Sequence, residues 1–305
     1  MKVSLPMHSQ WKAGQHFFVR LRSMGMHSMT SHPFSACSLS TNVATPRDTT
    51  SDLNFFIRPR GGFTSRLAHW AETHLGGTLR VILDGPYGGI DVHKFTSSSR
   101  LLLIAGGSGA GWLLPLIELH LRRLEHERPL DDRADEKQQI AEKAVAKVIL
   151  ATRDRATQAW FEHATNELLA KYGTNGMVGS LKIEMFFTGE ERPGPESKVS
   201  GQFLRELQDP EALLDSKAPE LTSDTAKSQS PEHARSVHTH TSGRPDLKSI
   251  LQQELAARKG RLSTFLCGPL SMQSDVSDKM AEYQLHIARR GSGDAYLHIE
   301  HFAWA

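Results

Sequence analysis

Over the first 95 or so residues, apolar and polar positions alternate in short runs. GQHFFVRLRS, HPFSACSLS, LNFFIRPR and TLRVILDGPYG each carry the two-residue period of a strand, and clusters of Gly, Pro, Ser and Asn part them. The pattern predicts an all-β unit, an antiparallel barrel of small size. One helix interrupts it at SRLAHWAETHL, where Leu67, Trp70 and His74 share a face and Thr64 is placed to cap the N-terminus. From about residue 99 the grain changes. RLLLIAGG, KVILATRD, LKIEMFFTG and STFLCGPLSM are strand-like, and GWLLPLIELHLRRLEHE, QAWFEHATNELLAKY, PDLKSILQQELAARK and QSDVSDKMAEYQLHIAR read as the helices between and after them. This alternation predicts a parallel sheet with crossover helices, an α/β unit behind the β unit. The chain is thus expected to be α+β with two domains, 1–95 and 96–305. Two segments break the alternation. Residues 125–143 are charge-rich and lengthen a helix or a loop, whereas residues 190–242 are rich in Ser, Pro, Glu and Thr, with almost no aromatics, and are expected to form a disordered insertion.

Composition narrows the function classes. Of 305 residues, 38% are hydrophobic, enough to bury two cores. Thirty-six basic against 34 acidic side chains leave a formal +2 without basic blocks, so nucleic acid is not an expected partner. The two cysteines, Cys37 and Cys267, lie far apart and in no CxxC pair, which argues against a disulfide framework or a zinc site and fits a reducing compartment. The apolar runs near 101–105 and 112–119 fall short of the roughly 18 to 20 residues a membrane span needs. MKVSLPMHSQWKAGQ lacks the apolar stretch of a signal peptide. His233, His238 and His240 have no Cys or carboxylate cluster to complete a metal shell and read as part of a solvated loop.

Candidate chemistry starts with LLLIAGGSGAGWLLPLIELHL. Gly106, Gly107, Gly109 and Gly111 lie between an apolar strand and an apolar helix, where the backbone can approach an anion and the helix start offers N–H groups. The loop lacks the Lys-Ser/Thr ending of a P-loop and the GxGxxG spacing, and a tight turn without a ligand would look similar. HPFS, residues 32–35, offers an imidazole, a flat ring and a hydroxyl, but also reads as an edge strand with a buried Phe34. In GGFTSRL, glycines and Thr64 precede a helix, so a diphosphate site or a simple cap would serve equally. Arg153 and Asp154 end a strand at the edge where open α/β sheets bind ligands, and Arg244 sits in GRP; a solvated role is open to both arginines. Cys267 ends an apolar strand before Gly268 and Pro269, a common place for a structural cysteine.

Taken in order, WKAGQHFFV, HPFSACS, GGFTSRL, LDGPYGG, LLLIAGGSGAGWLLP, ATRDRATQAWFEHA, SGRPDL, FLCGPLSM and a tail ending HFAW resemble the cytosolic dehydrogenase half of ferric reductases and NADPH oxidases, within the ferredoxin reductase-like superfamily. The resemblance covers nearly the whole chain outside the two interrupting segments. It implies an FAD-binding barrel followed by an NADP-binding domain. In the HPFS motif, with its Pro33, the resemblance implies that His32 lies near the FAD pyrophosphate, Phe34 packs against the isoalloxazine and Ser35 sits near the flavin N5; family members more often have Thr at this last position. Gly62, Phe63 and Thr64 would hold the FAD pyrophosphate, and GPYG, residues 85–88, would be a turn. Gly106, Gly107, Ser108 and Gly109 would cradle the pyrophosphate of the nicotinamide nucleotide. Arg153 beside Asp154, with Arg244, would meet a 2′-phosphate and so select NADPH. Cys267, with Gly268 and Pro269, would lie by the nicotinamide C4, and Phe302 or Trp304 would cover the flavin ring, with Ala305 beyond.

The activity so implied is transfer of a hydride from NADPH to FAD and then of single electrons to haem in a membrane domain or to ferric chelates. Alternatives are a soluble NAD(P)H flavin reductase and a nucleotide-binding protein without turnover. The family is bound to the plasma membrane with this region cytosolic, whereas this chain reads as soluble or peripheral. Its start near WKAGQ leads to the expectation that the first strand of the flavin barrel is missing.

Overall fold

The computed structural model describes residues 1–22, 29–40, 50–126, 144–172, 180–189, 237–256, 260–290 and 294–301. The N-terminal part contains β1 (Lys2–Met7), β2 (Gln15–Leu21), β3 (His32–Ser35), β4 (Ser51–Phe56), α1 (Gly62–Thr73) and β5 (Val81–Gly88). All pairings here are antiparallel: β1 with β4, and β2 with β3 on one side and β5 on the other. Phe17, Val19 and Leu21 on β2 and Leu53 and Phe55 on β4 keep the two-residue period, so each strand sends one set of side chains into a common core. Phe63 and Leu67, four residues apart on α1, close that core from the helix side. Burying a side chain such as Leu67 stabilises the fold by roughly 2 kcal/mol. Strand β1 lies ahead of WKAGQ and is not among the strands read from the sequence, although Val3, Leu5 and Met7 alternate with Lys2, Ser4 and Pro6 and pack against the core.

A short helix, α2 (Val92–Thr96), capped by Asp91, leads into the second part. There follow β6 (Arg100–Gly106), a 3₁₀ turn at Gly107–Gly109, α3 (Ala110–His126), β7 (Val145–Thr152), α4 (Arg155–Tyr172), β8 (Leu181–Phe187), β9 (His238–Ser242), α5 (Leu247–Ala256), β10 (Leu262–Cys267), α6 (Leu270–Arg290) and β11 (Ala295–Glu300). The six strands form one sheet in the order β11-β10-β6-β7-β8-β9, every pairing parallel. Both faces are covered, which is why β6 reads as a near-continuous apolar run and β10 is buried along its whole length, Ser263 and Thr264 included. Leu101, Leu103 and Phe265 face the side carrying Trp112 of α3 and Phe161 of α4. Leu102, Ile104 and Leu266 face Leu251 of α5 and Val276 of α6.

Residues 190–236 of the expected insertion lie outside the described residues, and so do 127–143 of the charge-rich segment and His233. The end of the insertion needs correction. His238–Ser242 is a strand, held in the sheet by backbone pairing of His238 through Ser242 with Ile183 through Phe187. HTHTS contains no apolar residue, so its place at the sheet edge leaves no hydrophobic signature. The ring of His238 meets the Thr165 hydroxyl at 2.8 Å and that of His240 meets Glu162 at 3.3 Å. Among the described residues no group of three His, Cys, Asp or Glu side chains could hold a metal ion, and no helix is long and apolar enough to cross a membrane.

Candidate functional site

Parallel pairing lines up the strand ends at one edge of the sheet. Cys267 on β10 stands level with Ala105 on β6 and with Glu300 on β11, so the GGSG turn and the Cys267-Gly268-Pro269 turn are neighbours. The glycines of the first turn serve different purposes. A Cβ on Gly106 would lie 2.6 Å from Cδ of Pro269, and one on Gly109 would lie 2.7 Å from the Cys267 carbonyl oxygen. Gly111 is equally confined, at 2.7 Å from Sγ of Cys37. Gly107 differs: its φ is +57°, in the region that favours glycine, and an added Cβ would meet nothing within 4 Å. Ser108 beside it is exposed, and no side chain caps the turn. Gly107 and Ser108 thus present backbone to the space beyond the sheet, and Gly106 and Gly109 seat the turn on β10.

Cys267 is fully buried, and burial, reinforced by the charge of Glu300, pushes its thiol well above the usual range. It is held as a neutral thiol against Gly109, not as a nucleophilic thiolate. Glu300 pairs with His298 at 3.4 Å, and the His298 ring lies parallel to Trp112 at 6.2 Å between centroids. Glu300 and His298 were not among the site residues chosen from the sequence. The usable signal was the strand pattern of YLHIE, which makes Glu300 the last residue of β11 beside the Cys267 turn. Phe302 and Trp304 lie outside the described residues.

Further along the same edge, Arg153 follows β7 and Arg244 follows β9, on either side of β8 and about 10 Å apart by strand spacing. Both side chains are exposed. Asp154 has other duties. Its carboxylate accepts from the Ala156 N–H at 3.1 Å and the Thr157 hydroxyl at 2.8 Å, starting α4, and pairs with Arg58 of the N-terminal part at 3.6 Å.

In the N-terminal part, the strand period of β3 splits HPFS between two faces. His32 stacks on Phe63 at 4.2 Å between centroids, and Phe34 lies 6.2 Å from the same ring and 6.0 Å from Phe55. Pro33 and Ser35 pair with Phe18 and His16 on the opposite face, where Tyr87 also sits. His32, Phe34 and Phe63 are thus brought together while Ser35 is not, and the buried Phe63 ring belongs to the core. Gly62, with φ +53°, has open space around its Cα. Thr64 does not cap α1 as expected. The capping position is Gly61, which has no side chain to offer, and the Thr64 hydroxyl, in the first turn, donates to the Gly61 carbonyl and accepts from the Arg60 N–H, both at 3.1 Å.

The two parts meet at the start of α3. Cys37, two residues beyond Ser35, packs on Gly111; Cys267 packs on Gly109 from the other side. Cys37, just past HPFS, and Cys267 of the CGP turn therefore meet the same helix start two residues apart. Gly62 and Gly107, each open and left-handed at a helix start without a side-chain cap, are shaped to receive anionic groups, so the residues present fit two pyrophosphates.

Comparison with known proteins agrees with this division. Residues 1–91 match an FAD-binding domain, and residues 98–281 match the ferric reductase NAD binding domain. A protein of Aspergillus oryzae named "Probable cell surface ferric reductase kap2" is 29% identical over 219 residues, which is 68% of this chain and 25% of the relative. Ferric/cupric reductase transmembrane component 7 of Saccharomyces cerevisiae is 32% identical over 122 residues, 38% of this chain and 17% of that protein. The chain thus spans about a quarter or less of the length of these curated relatives. Among solved structures, a ferredoxin-NADP+ reductase from Plasmodium falciparum with 2'P-AMP aligns over 98% of this chain and 88% of its own, with a TM-score of 0.49 and 8% identity. With more than half of its length matched to that domain, the chain belongs to the ferric reductase NAD binding family and carries an FAD-binding domain ahead of it.

Proposed function

We propose that this chain is the dehydrogenase unit of a metalloreductase, with residues 1–95 holding FAD and 96–305 holding NADPH. The observation that carries the reading is the junction at α3, where Cys37, two residues beyond the HPFS strand, and Cys267 pack on Gly111 and Gly109, two residues apart. Hydride transfer needs its two partners held face to face and close, and the protein supplies that alignment. The N–H groups at Gly62 and Thr64 bind one pyrophosphate, those at Gly107 and Ser108 the other. Arg153 and Arg244, exposed and without an ion-pair or hydrogen-bond partner among the described residues, bind the 2′-phosphate and favour NADPH over NADH. Gly268 and Pro269 lie beside the nicotinamide, with the buried, neutral Cys267 thiol seating their turn against Gly109, and the aromatic tail at Phe302 and Trp304 shields the flavin from water. Bound FAD supplies a hydride acceptor that releases electrons one at a time. The acceptor is a haem-bearing membrane domain, the chain lying on the cytosolic side, or a ferric chelate.

The test is anaerobic. The purified chain, reconstituted with FAD, is mixed with NADPH or NADH and the loss of flavin colour is followed. Fast bleaching by NADPH, slower by NADH, supports the reading; failure to retain FAD or to bleach would sink it. Ferric-chelate reduction that appears only when haem-bearing membranes are added identifies the membrane acceptor, and reduction without them identifies a soluble flavin reductase.

A further inference from the structure

Farther along α3 from the GGSG turn, the chain has a buried polar grip whose chemistry the hydride reaction itself does not use. Glu118, on the third turn of α3, is 5% exposed. Its carboxylate accepts from the Leu39 backbone N–H at 3.3 Å, from Arg122 at 2.8 Å and from the Tyr172 hydroxyl at 2.7 Å. Arg122 in turn donates to the Ser40 carbonyl at 3.0 Å and to the Tyr172 hydroxyl at 3.1 Å. One helix thereby holds a donor and an acceptor of the neighbouring part's backbone with charged groups, the stronger kind of hydrogen bond.

The gripped segment is itself stiff. Ala36 N–H donates to the Gln15 carbonyl and Cys37 N–H to that of Asn54, each at 2.8 Å. The Ser38 hydroxyl donates to the Asp52 carbonyl at 2.8 Å, and the Ser40 hydroxyl to that of Trp11 at 2.9 Å. Residues 36–40 are thus tied to β2 and β4 and run directly on from the HPFS strand. They lie along α3 from Gly111, against Cys37, to Glu118 and Arg122, against Leu39 and Ser40. Displacement of α3 along this segment would carry the GGSG turn away from HPFS, because both turn and grip belong to one rigid run of backbone.

We propose that Glu118 and Arg122 are positioning residues for hydride transfer: with the Cys37–Gly111 contact as a stop, they set the distance and register between the flavin-side strand and the nicotinamide-side turn. This rests on the proposed function. It assigns a kinetic role to groups that touch neither nucleotide, and hydride transfer is the step most sensitive to their loss, since a misplacement of about 1 Å costs on the order of 100-fold in rate.

The test uses the full chain with FAD and measures three things: FAD affinity, NADPH affinity, and the bleaching rate at saturating NADPH. Glu118→Ala should slow saturated bleaching by roughly 10- to 100-fold while both affinities hold, and Glu118→Gln, which keeps an oxygen for the Leu39 N–H, should recover part of the rate. Gly111→Ala should act the same way by pushing on Sγ of Cys37, and Cys37→Ala in that background should restore the rate, because the added methyl would then face the residue 37 Cβ at 3.9 Å. Should Glu118→Ala fail to fold, the Gly111→Ala single variant and its Cys37→Ala double carry the test. Bleaching at the wild-type rate in the variants, or a rate loss explained by weaker nucleotide binding, overturns the positioning role alone. A wild-type chain that does not bleach overturns the functional reading and this inference with it.

Discussion

Two glycine-bearing turns, each before a helix, look alike in the sequence and differ in the structure. At the start of α1, Gly61 and Gly62 are open: a Cβ on either would meet nothing within 4 Å. At the start of α3, only Gly107 is open, while Gly106, Gly109 and Gly111 are pressed against Pro269, Cys267 and Cys37. The first turn keeps its glycines for conformation and access alone. The second also uses glycine as an absence of volume, so that two strands from different parts of the chain can seat on one helix start. Glycine content therefore signals close approach without saying whether ligand or protein is what approaches.

The sharpest way to break this contrast is substitution within the second turn. Gly109→Ala forces a methyl to 2.7 Å from a backbone oxygen that cannot rotate away, and should destabilise the protein by about 1–3 kcal/mol in urea or thermal unfolding. Gly107→Ala, with strain but no collision, should cost less, about 1 kcal/mol; a reversed order would show that the packing has been misjudged. Next in size is a pH effect at the same junction. Burial pushes the Cys37 thiol from 9.0 up to about 12, with a backbone hydrogen bond from Phe56 opposing it. Folding favours the neutral thiol, so this contribution to stability is complete below pH 9.0 and is lost as pH rises toward about 12. Between about pH 7 and about pH 10, wild type should lose on the order of 1 kcal/mol more stability than Cys37→Ala.

The open glycines sharpen the comparison through ligands. Gly62→Ala should weaken FAD roughly tenfold and leave NADPH affinity alone, and Gly107→Ala should do the reverse. Titrations in which both variants lose the same nucleotide would contradict separate cradles. The smallest effect is expected at Gly61, whose φ of 170° is ordinary extended backbone: Gly61→Ala should shift stability by less than about 0.5 kcal/mol.

Legibility followed burial. The runs RLLLIAG and LSTFLC announce themselves because both faces of β6 and β10 are covered, and the two polar side chains of β10, Ser263 and Thr264, are buried with their apolar neighbours. HTHTS leaves no apolar trace because its pairing uses backbone groups that every sequence possesses, whereas KVSLPM carries its strand period in three apolar residues only, Val3, Leu5 and Met7. Of the candidate site, the motif residues could be found one by one, but not their companions. Glu118 and Arg122, four apart on α3, look like an ordinary solvated ion pair. The Asp154 carboxylate also starts α4, and the strand period divides HPFS between two faces; neither is visible in the motifs themselves.

By itself the sequence determined the order of the two parts, the strand-to-helix turns that can receive phosphates, and the family to which the motifs belong, since periodicity and short-range spacing are local properties. Which glycines face open space, which cysteine lies on which side of α3, and which carboxylate holds the neighbouring backbone were decided only by the tertiary structure. These depend on residues far apart in the chain, such as Leu39 with Glu118 or Gly109 with Cys267, and close packing leaves each of them room for only one arrangement.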